Sequence, residues 1–403
     1  MPKVTLNDTP RSDRLHIALF GRRNAGKSSL INAITGHQTA LVSPAAGTTT
    51  DPVYKSMELH PLGPCVLIDT AGFDDEGALG ALRVEKTKQV LSAADVGIVV
   101  FAPQQGDGYA QESEWIAALK ARGVPVLAVV NKSDTVKDAV QEAQEIGARF
   151  GVPAIAVSAL TGQGVGQVKD QLARLIPQDF GPVSIVGHLV EAGDSVLLVM
   201  PQDIQAPKGR LILPQVQTIR DLLDRHCIVT CVTTQELPGA LAALLKPPKL
   251  IITDSQAFAE VAPLKPEGSL LTSFSVLFAR YKGDIDAFVR GAAAIDALTE
   301  KSRVLIAEAC THAPLSEDIG RVKLPRLLRK KVGEGLRVDM VSGTDFPENL
   351  TGYDLVIHCG ACMFNRRYVL SRVETAKRQG VPITNYGVAL AKLCGVLDKI
   401  ETY

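Results

Sequence analysis

Two glycines, a lysine and a serine form the first group of residues whose types and spacing could do chemistry. Gly21 and Gly26 are separated by four residues, and Lys27 and Ser28 follow directly, between the apolar stretch LHIALF and the helix-like stretch SSLINAIT. This is the context of a phosphate-binding loop. The glycines let backbone N–H groups point at phosphate oxygens, the ammonium neutralises the β- and γ-phosphates, and the hydroxyl is a ligand for Mg²⁺. We predict that Lys27 is catalytic and that the phosphates are bound by Asn24, Ala25, Gly26, Lys27, Ser28 and Ser29.

A carboxylate and a glycine follow the next apolar stretch, CVLI. Asp69 comes directly after it, and Gly72 lies three residues later. A carboxylate at this position can reach Mg²⁺, usually through a water molecule, and the N–H of Gly72 can approach the γ-phosphate. We therefore expect Asp69 and Gly72 in the nucleotide site, and Gly72 among the catalytic residues.

Polar residues after two later apolar stretches are suited to reading a base. Asn131, Lys132 and Asp134 follow PVLAVV, and Ser158 and Ala159 follow AIAV. The Asp134 carboxylate can accept two hydrogen bonds from the N1–H and the exocyclic amine of guanine, whereas adenine has no donors in that arrangement. A site that depends on such pairing rejects the wrong base by roughly 10⁴-fold. The sequence therefore predicts that these five residues bind GTP and GDP.

The composition excludes several classes of protein. Of 403 residues, 43 are Lys or Arg and 43 are Asp or Glu, so the formal net charge is zero. This balance argues against bulk electrostatic binding to nucleic acid or to an anionic membrane. The apolar runs are far shorter than the about 20 residues that cross a bilayer, and the opening residues MPKVTLNDTPRSDR lack the apolar core of a secretory signal. We expect a cytoplasmic protein that binds neither nucleic acid nor a membrane.

Three blocks of alternating strand and helix patterns follow one another along the chain. Short apolar strands separated by helices predict an α/β fold, with an N-terminal doubly wound sheet and two smaller α/β domains after it. Prolines and glycines at 177–182 and at 263–268 indicate the joints. The expected domains are residues 1–177, 183–263 and 268–403.

Cysteines and histidines are concentrated in the third block. Cys310 and His312 follow the apolar stretch VLIAEA, and His358, Cys359 and Cys362 follow LVI. Because the carboxyl ends of parallel strands meet at one edge of a sheet, these distant segments are expected to lie together. Three thiols with up to two imidazoles suit either zinc or an iron–sulfur cluster, and the residues alone leave both open. The other cysteines are expected to be buried and inert, namely Cys65, Cys227, Cys231 and Cys394.

The nucleotide motifs together resemble the P-loop GTPases, in the branch that includes the TrmE and Era types. In that comparison residues 47–51 match switch I, which makes Thr49 rather than Thr48 the second hydroxyl ligand of Mg²⁺ and a catalytic residue beside Lys27 and Gly72. Phe73 stands where the small regulatory GTPases carry a water-positioning glutamine. Asn24 lies where TrmE-like GTPases hold K⁺, and a potassium ion there could replace an arginine finger. The resemblance therefore implies slow, K⁺-stimulated hydrolysis.

The whole chain resembles the HydF family, the maturation GTPases of FeFe-hydrogenase. The resemblance implies a GTPase domain, a middle dimerisation domain that makes a homodimer, and a C-terminal domain in which Cys310, Cys359 and Cys362 hold a 4Fe–4S cluster. The fourth iron site is exchangeable, and His358 or His312 is its candidate ligand. The family receives a di-iron precursor from radical-SAM hydrogenase maturases and delivers it to apo FeFe-hydrogenase, so the implied role is a scaffold or carrier.

Two other functions fit part of the sequence. A K⁺-dependent GTPase of tRNA modification or ribosome assembly would explain the nucleotide motifs but gives no use for the three cysteines. A zinc-stapled interaction protein would use the cysteines without a transferable cluster. The segment 321–331, RVKLPRLLRKK, carries six basic residues and is interpreted as a solvated face, with docking of an acidic partner as the alternative.

Overall fold

The structure is a computed structural model that describes residues 9–36, 52–70, 87, 89–103, 108–176, 184–201, 211–309, 318–343, 345–361 and 364–402. The chain divides into two compact units, residues 1–181 and 182–403. In the part of the chain described, no helix is long and apolar enough to cross a membrane.

The first unit contains a doubly wound sheet with the strand order β2-β3-β1-β4-β5-β6. All neighbouring strands are parallel except β2 and β3. The order reverses between β1 and β4, which is where ligands bind in open α/β sheets. The strands are β1 (Leu15–Phe20), β2 (Val53–Leu59), β3 (Gly63–Asp69), β4 (Val96–Phe101), β5 (Val126–Val130) and β6 (Ala154–Ala156), and the helices are α1 (Lys27–Thr35), α2 (Ala110–Lys120), α3 (Ala139–Phe150) and α4 (Val165–Leu175).

Apolar side chains cover both faces of this sheet. Every residue of β1, β4 and β5 is buried, as expected for central strands with helices on both sides. One core includes Leu30 and Ile31 of α1, and the other includes Ile116 and Leu119 of α2. Burying one such side chain stabilises the fold by about 1.5–3 kcal/mol. The two cores hold the carboxyl ends of β1, β3 and β5 in fixed positions.

The second unit begins with a four-stranded parallel sheet of order β10-β9-β7-β8. Its strands are β7 (Ser195–Val199), β8 (Ile228–Val232), β9 (Leu250–Thr253) and β10 (Leu270–Ser273), with the helices α5 (Leu213–Asp224), α6 (Leu237–Ala243) and α7 (Phe258–Val261). Strand β10 pairs with β9 after the joint expected at 263–268, so the second sheet extends beyond that boundary. The prolines and the glycine of 263–268 belong to the connection between α7 and β10.

A third sheet, also parallel, has the order β12-β11-β13-β14. It consists of β11 (Arg303–Glu308), β12 (Arg337–Ser342), β13 (Leu355–His358) and β14 (Ile383–Asn385), with the helices α8 (Phe274–Lys282), α9 (Ile285–Ala292), α10 (Leu324–Val332), α11 (Arg366–Arg378) and α12 (Tyr386–Leu393). Helix α8 contacts α5 near the second sheet and both α11 and α12 near the third. The strand order of the third sheet reverses between β11 and β13.

Candidate functional site

The loop between β1 and α1 has the backbone of a phosphate-binding loop. Gly26 has a φ of 90° and caps α1, and a Cβ there would lie 2.1 Å from Nδ2 of Asn131. A Cβ on Gly21 would lie 2.6 Å from the carbonyl oxygen of Val100. Both positions therefore require glycine, and the N–H groups that begin α1 give the loop a positive end suited to phosphate.

Lys27 lies inside this loop rather than in solvent. Its side chain is buried, and its ammonium donates hydrogen bonds to the carbonyl oxygens of Gly21 at 2.6 Å and Arg22 at 3.0 Å. This arrangement places a positive charge over the loop backbone. The position fits the predicted role of neutralising bound phosphates.

Ser28 and Asp69 form a pair of oxygen groups beside the loop. The Ser28 hydroxyl donates to Oδ2 of Asp69 at 2.5 Å. Burial raises the pKa of Asp69, while this hydrogen bond and the charges of Lys27 and Lys55 oppose the shift. A hydroxyl and a carboxylate oxygen are the ligands that Mg²⁺ prefers, so the donor set fits the ion.

Hydrogen bonds join the base-reading residues to the phosphate loop. Asn131 is buried; its Nδ2 donates to the carbonyl oxygen of Ala25 at 2.9 Å, and its Oδ1 accepts from the N–H of Ala159 at 3.1 Å. The Ser158 hydroxyl donates to Oδ1 of Asp134 at 2.6 Å. Asp134 itself is exposed and Lys132 has a left-handed φ of 61°. The residues that follow β5 and β6 are thus joined to each other, and Asn131 joins them to the phosphate loop that follows β1.

The remaining predictions for the nucleotide site divide into two groups. Asn24 is exposed with a φ of 60°, and Ser29 lies in the first turn of α1. Thr48, Thr49, Gly72 and Phe73 lie outside the described residues. The K⁺ site at Asn24 and the switch I ligand of Mg²⁺ therefore stay predictions.

An ion pair that sequence reasoning missed ties the loop to α2. Nε of Arg22 lies 3.0 Å from Oε1 of Glu112, and the two side chains are 16% and 1% exposed. Glu112 is in the first turn of α2, where a carboxylate is an ordinary partner of the helix dipole. The sequence offers no separate signal for this contact.

Cys359 lies at the point where the strand order of the third sheet reverses. Cys359 directly follows β13. Its Sγ accepts a hydrogen bond, at 3.0 Å, from the N–H of Ala309, the residue that follows β11. The N–H of Ala361, a residue with a φ of 48°, approaches the same sulfur at 3.4 Å. Two backbone N–H groups thus point at this sulfur, and cysteine sulfur is the usual ligand of iron–sulfur clusters. The chemistry of this position fits an iron–sulfur ligand.

His358 uses both ring nitrogens within the protein. Nδ1 donates to the carbonyl oxygen of Cys359 at 2.7 Å, because Nε2 must accept from Nη1 of Arg372 at 3.0 Å. Burial, and next the charge of Arg372, lower the pKa of His358 to about 3. The ring is therefore neutral, and binding a metal through Nε2 would require Arg372 to leave.

Arg372 and Tyr386 are further residues of this region that the sequence did not reveal. Arg372 on α11 is 3% exposed and donates to the Tyr368 hydroxyl at 2.6 Å and to the Gly343 carbonyl oxygen at 2.7 Å. Tyr386 donates to Oε1 of Glu308 at 3.3 Å. An arginine within a basic helix resembles a surface residue, so its burial beside the cysteine loop could not be foreseen.

The other expected cluster ligands, Cys310, Cys362 and His312, lie outside the described residues. Within the described ranges, no three His, Cys, Asp or Glu side chains form a metal-binding group. Of the cysteines expected to be buried, Cys65 and Cys227 are buried, but Cys231 and Cys394 are exposed. Cys231 is exposed because β8 is an edge strand, and Cys394 because it follows the end of α12.

Helix α10 contains most of the basic segment. Arg326 and Lys330 are exposed, as the solvated-face interpretation expects. Arg321 pairs with Glu308 at 3.2 Å and Lys331 with Asp296 at 2.6 Å. Part of this charge is therefore neutralised within the fold.

Three protein-family models match the chain. Residues 16–132 match the 50S ribosome-binding GTPase model, residues 185–283 the hydrogen maturase F dimerization domain, and residues 286–401 the hydrogen maturase F tetramerization domain. The family boundary between the last two therefore falls after β10 and α8.

Two tRNA modification GTPases are similar to part of this chain. The tRNA modification GTPase MnmE of Paraburkholderia xenovorans is 33% identical over 172 residues, which is 42% of this chain and 36% of that protein. The MnmE of Heliobacterium modesticaldum is 31% identical over 189 residues, 47% of this chain and 39% of that protein. The chain thus spans less than half the length of these relatives. A crystal structure of Aquifex aeolicus Era bound to GDP·AlF4⁻ aligns with a TM-score of 0.36 and 20% identity, covering 56% of this chain and 97% of that one.

The first unit has the P-loop GTPase fold, and the two hydrogen maturase F models together cover more than half of the chain. The chain therefore belongs to the hydrogen maturase F family.

Proposed function

We propose that this chain is a GTP-hydrolysing scaffold that binds a 4Fe–4S cluster and delivers a di-iron precursor to apo FeFe-hydrogenase. The observation that carries the proposal is Cys359, whose sulfur receives two backbone N–H groups at the switch point of the third sheet. A GTPase of tRNA modification, the activity named for the MnmE relatives, gives no use for this arrangement. Those relatives match 42% and 47% of the chain.

In the nucleotide site the contacts of the described residues support their proposed roles. Lys27, held over the loop carbonyls, binds the β- and γ-phosphates, and Ser28 with Asp69 faces Mg²⁺. The base is proposed to be read by Asn131, Lys132, Asp134, Ser158 and Ala159. For Thr49 as the second hydroxyl ligand and Gly72 as the N–H donor to the γ-phosphate, which lie outside the described residues, the proposal rests on the sequence motifs alone. When bound, Mg²⁺ supplies charge neutralisation of the phosphates.

Hydrolysis is proposed to be slow and to be stimulated by K⁺. Asn24, exposed at the rim of the loop, is the residue that would hold the ion. A monovalent cation there would place positive charge beside the transferring phosphoryl group. Replacing K⁺ by Na⁺ is expected to lower the hydrolysis rate without preventing GDP binding.

For the cluster we propose Cys310, Cys359 and Cys362 as the three thiolate ligands. A cluster held by three thiolates leaves one iron free to bind and release a guest, which suits a carrier. Of the two candidate fourth ligands, His358 already has partners for both nitrogens, so its described position favours a positioning role. The proposed donors and acceptors of the precursor are radical-SAM maturases and apo FeFe-hydrogenase.

The exposed edge of the second sheet is the proposed homodimer contact. Strand β8 is at the edge, Ile228 is 61% exposed and Cys231 is exposed as well. Unpaired strand edges with apolar side chains are sites of pairing with another chain. Ile228→Lys is expected to convert a dimer to a monomer in light-scattering measurements, whereas Leu245→Lys, at a fully exposed site outside β8, is expected to leave the dimer intact.

The experiment that tests the proposed function is activation of apo-hydrogenase by the anaerobically purified full chain. Lys27→Ala is expected to abolish nucleotide-dependent changes in partner affinity, while Lys137→Ala, an exposed lysine of the same unit, is the matched control. Unchanged activation and partner affinity with Lys27→Ala would remove nucleotide from the mechanism. Zinc held without iron would favour the zinc-stapled alternative.

A further inference from the structure

A lysine occupies a core-facing position of β2. In the antiparallel register Lys55 lies opposite Leu67 and Val53 opposite Asp69. Alternate residues of a strand share a face, so Lys55, Leu67 and Asp69 are on the same side of the sheet. Leu67 belongs to the core that includes helix α1, and Met57, two residues after Lys55, packs against that core. The side chain of Lys55 thus lies on the side from which Ser28 reaches Asp69.

The Lys55 ammonium is buried at its nitrogen and, among the described residues, has no hydrogen-bond partner. Burying an unpaired ammonium is costly, so a nearby negative charge is needed to hold it there. Asp69 supplies a negative charge near Lys55: the two residues lie on a cross-strand diagonal, which is about 7–8 Å at the backbone and within reach of a lysine side chain. Burial lowers the pKa of Lys55, and the Asp69 charge opposes this shift.

We propose that Lys55 is a permanent counter-ion of Asp69. By competing with Mg²⁺ for this carboxylate, Lys55 sets the magnesium affinity of the nucleotide site. The inference rests on the proposed nucleotide site. The charges of Lys27 and Lys55 both act on the single carboxylate of Asp69. When Mg²⁺ arrives, its double charge faces the Lys55 ammonium, and the repulsion weakens binding of the metal. Lys55 therefore lowers the affinity of the site for Mg²⁺ by its charge, not as a ligand.

The test is a Mg²⁺ titration of nucleotide affinity rather than of activity. Dissociation of a fluorescent GDP from the full chain is measured as Mg²⁺ increases, for the natural chain and for Lys55→Met, which keeps the length and packing of the side chain. The Mg²⁺ concentration at the midpoint is expected to fall about ten-fold in Lys55→Met, because one repelling unit charge at this distance is lost. Lys55→Arg keeps the charge and is expected to retain the natural midpoint.

Other outcomes separate the inference from the proposed function. Lys137→Met removes an exposed lysine of the same unit and should not move the midpoint. An unchanged or higher midpoint in Lys55→Met would overturn the inference, as would a selective loss of GTP over GDP affinity, which would indicate phosphate contact instead. Lys55→Gln repeats the test if Lys55→Met does not fold. Failure of the natural chain to bind GDP in a Mg²⁺-dependent way would instead refute the nucleotide site itself.

Discussion

The backbone N–H of Ala309 donates a hydrogen bond to Sγ of Cys359 at 3.0 Å, although the two residues are 50 positions apart. The bond joins the ends of β11 and β13, the neighbouring strands between which the order of the third sheet reverses. Cys310 follows Ala309 in the sequence, and this proximity supports the proposal that Cys310 and Cys359 bind one inorganic centre. The nucleotide site is placed in the same way, because its phosphate loop follows β1, where the strand order of the first sheet reverses.

Guanine specificity is predicted to depend on the exposed carboxylate of Asp134. Asp134→Asn replaces an acceptor with an amide that can donate to the additional carbonyl of xanthine. Affinity for GDP should fall at least about 100-fold, because the N1–H and amine of guanine lose their acceptor, while xanthosine diphosphate should gain affinity. Competition binding with the two nucleotides measures the switch. Equal loss of both, with an intact fold, would show that Asp134 does not read the base.

The ion pair between Arg22 and Glu112 is predicted to stabilise the first unit. Glu112→Ala leaves the largely buried guanidinium without this carboxylate, and loss of one partner of a buried pair costs about 3–5 kcal/mol. The urea concentration at the midpoint of unfolding of the first unit should therefore be lower in Glu112→Ala. Glu114→Ala, an exposed residue in the same turn of α2, is the control and should change stability little. Equal shifts for the two variants would contradict the assignment.

Close packing of α9 on β14 is predicted to require glycine at residue 291. A Cβ on Gly291 would lie 1.9 Å from the carbonyl oxygen of Ile383, so Gly291→Ala must push the helix from the strand. Overpacking of this kind costs about 1–3 kcal/mol. Gly239 of α6 has no atom within 4 Å of the position that a Cβ would occupy, so Gly239→Ala should stabilise by up to about 1 kcal/mol. In thermal unfolding, the melting temperature should fall in Gly291→Ala and rise in Gly239→Ala.

Asp296 is predicted to make part of the stability of the second unit depend on pH. Its carboxylate accepts from Lys331 on α10 and from Lys392 on α12, each at 2.6 Å. The hydrogen bond from Lys331, and then that from Lys392, lower the pKa of Asp296 from 3.8 to about 2.

A folded-state pKa below the unfolded value adds stability above about pH 4, and this stability is lost as the pH falls toward 2. The melting temperature of Asp296→Asn should therefore be lower than that of the natural chain at pH 7, and the two should converge near pH 2. High salt should reduce the difference at pH 7, because the pair is exposed. A difference that does not change with pH would refute the electrostatic origin.

Much of the fold could be predicted because most strands are short, wholly apolar segments between helices. Strand β2 escapes such a prediction because it is an exposed, antiparallel edge whose polar residues do not form an apolar run. Strand β10, with the sequence LLTS, is not predicted either, because the strand is short and polar at its end. The domain boundary expected at 263–268 therefore falls before β10.

The sites were predictable where chemistry follows a strand end and unpredictable where it depends on tertiary contacts. The spacing of the nucleotide motifs identified Lys27, Ser28, Asp69 and Asn131, and the structure places these residues together. Nothing in the sequence indicated that Arg372 would be buried against His358, because that contact depends on the packing of α11 on the third sheet. Contacts of this kind can be identified only when the three-dimensional fold is known.

Iron and acid-labile sulfide in the anaerobically reconstituted full chain, with an EPR spectrum of the reduced protein, test the central claim most directly. We predict about four irons per chain and the signal of a reduced 4Fe–4S cluster, both lost in Cys359→Ser and both kept in Cys394→Ser, which removes an exposed thiol. Iron and signal that persist in Cys359→Ser, or zinc bound in place of iron, would contradict the account.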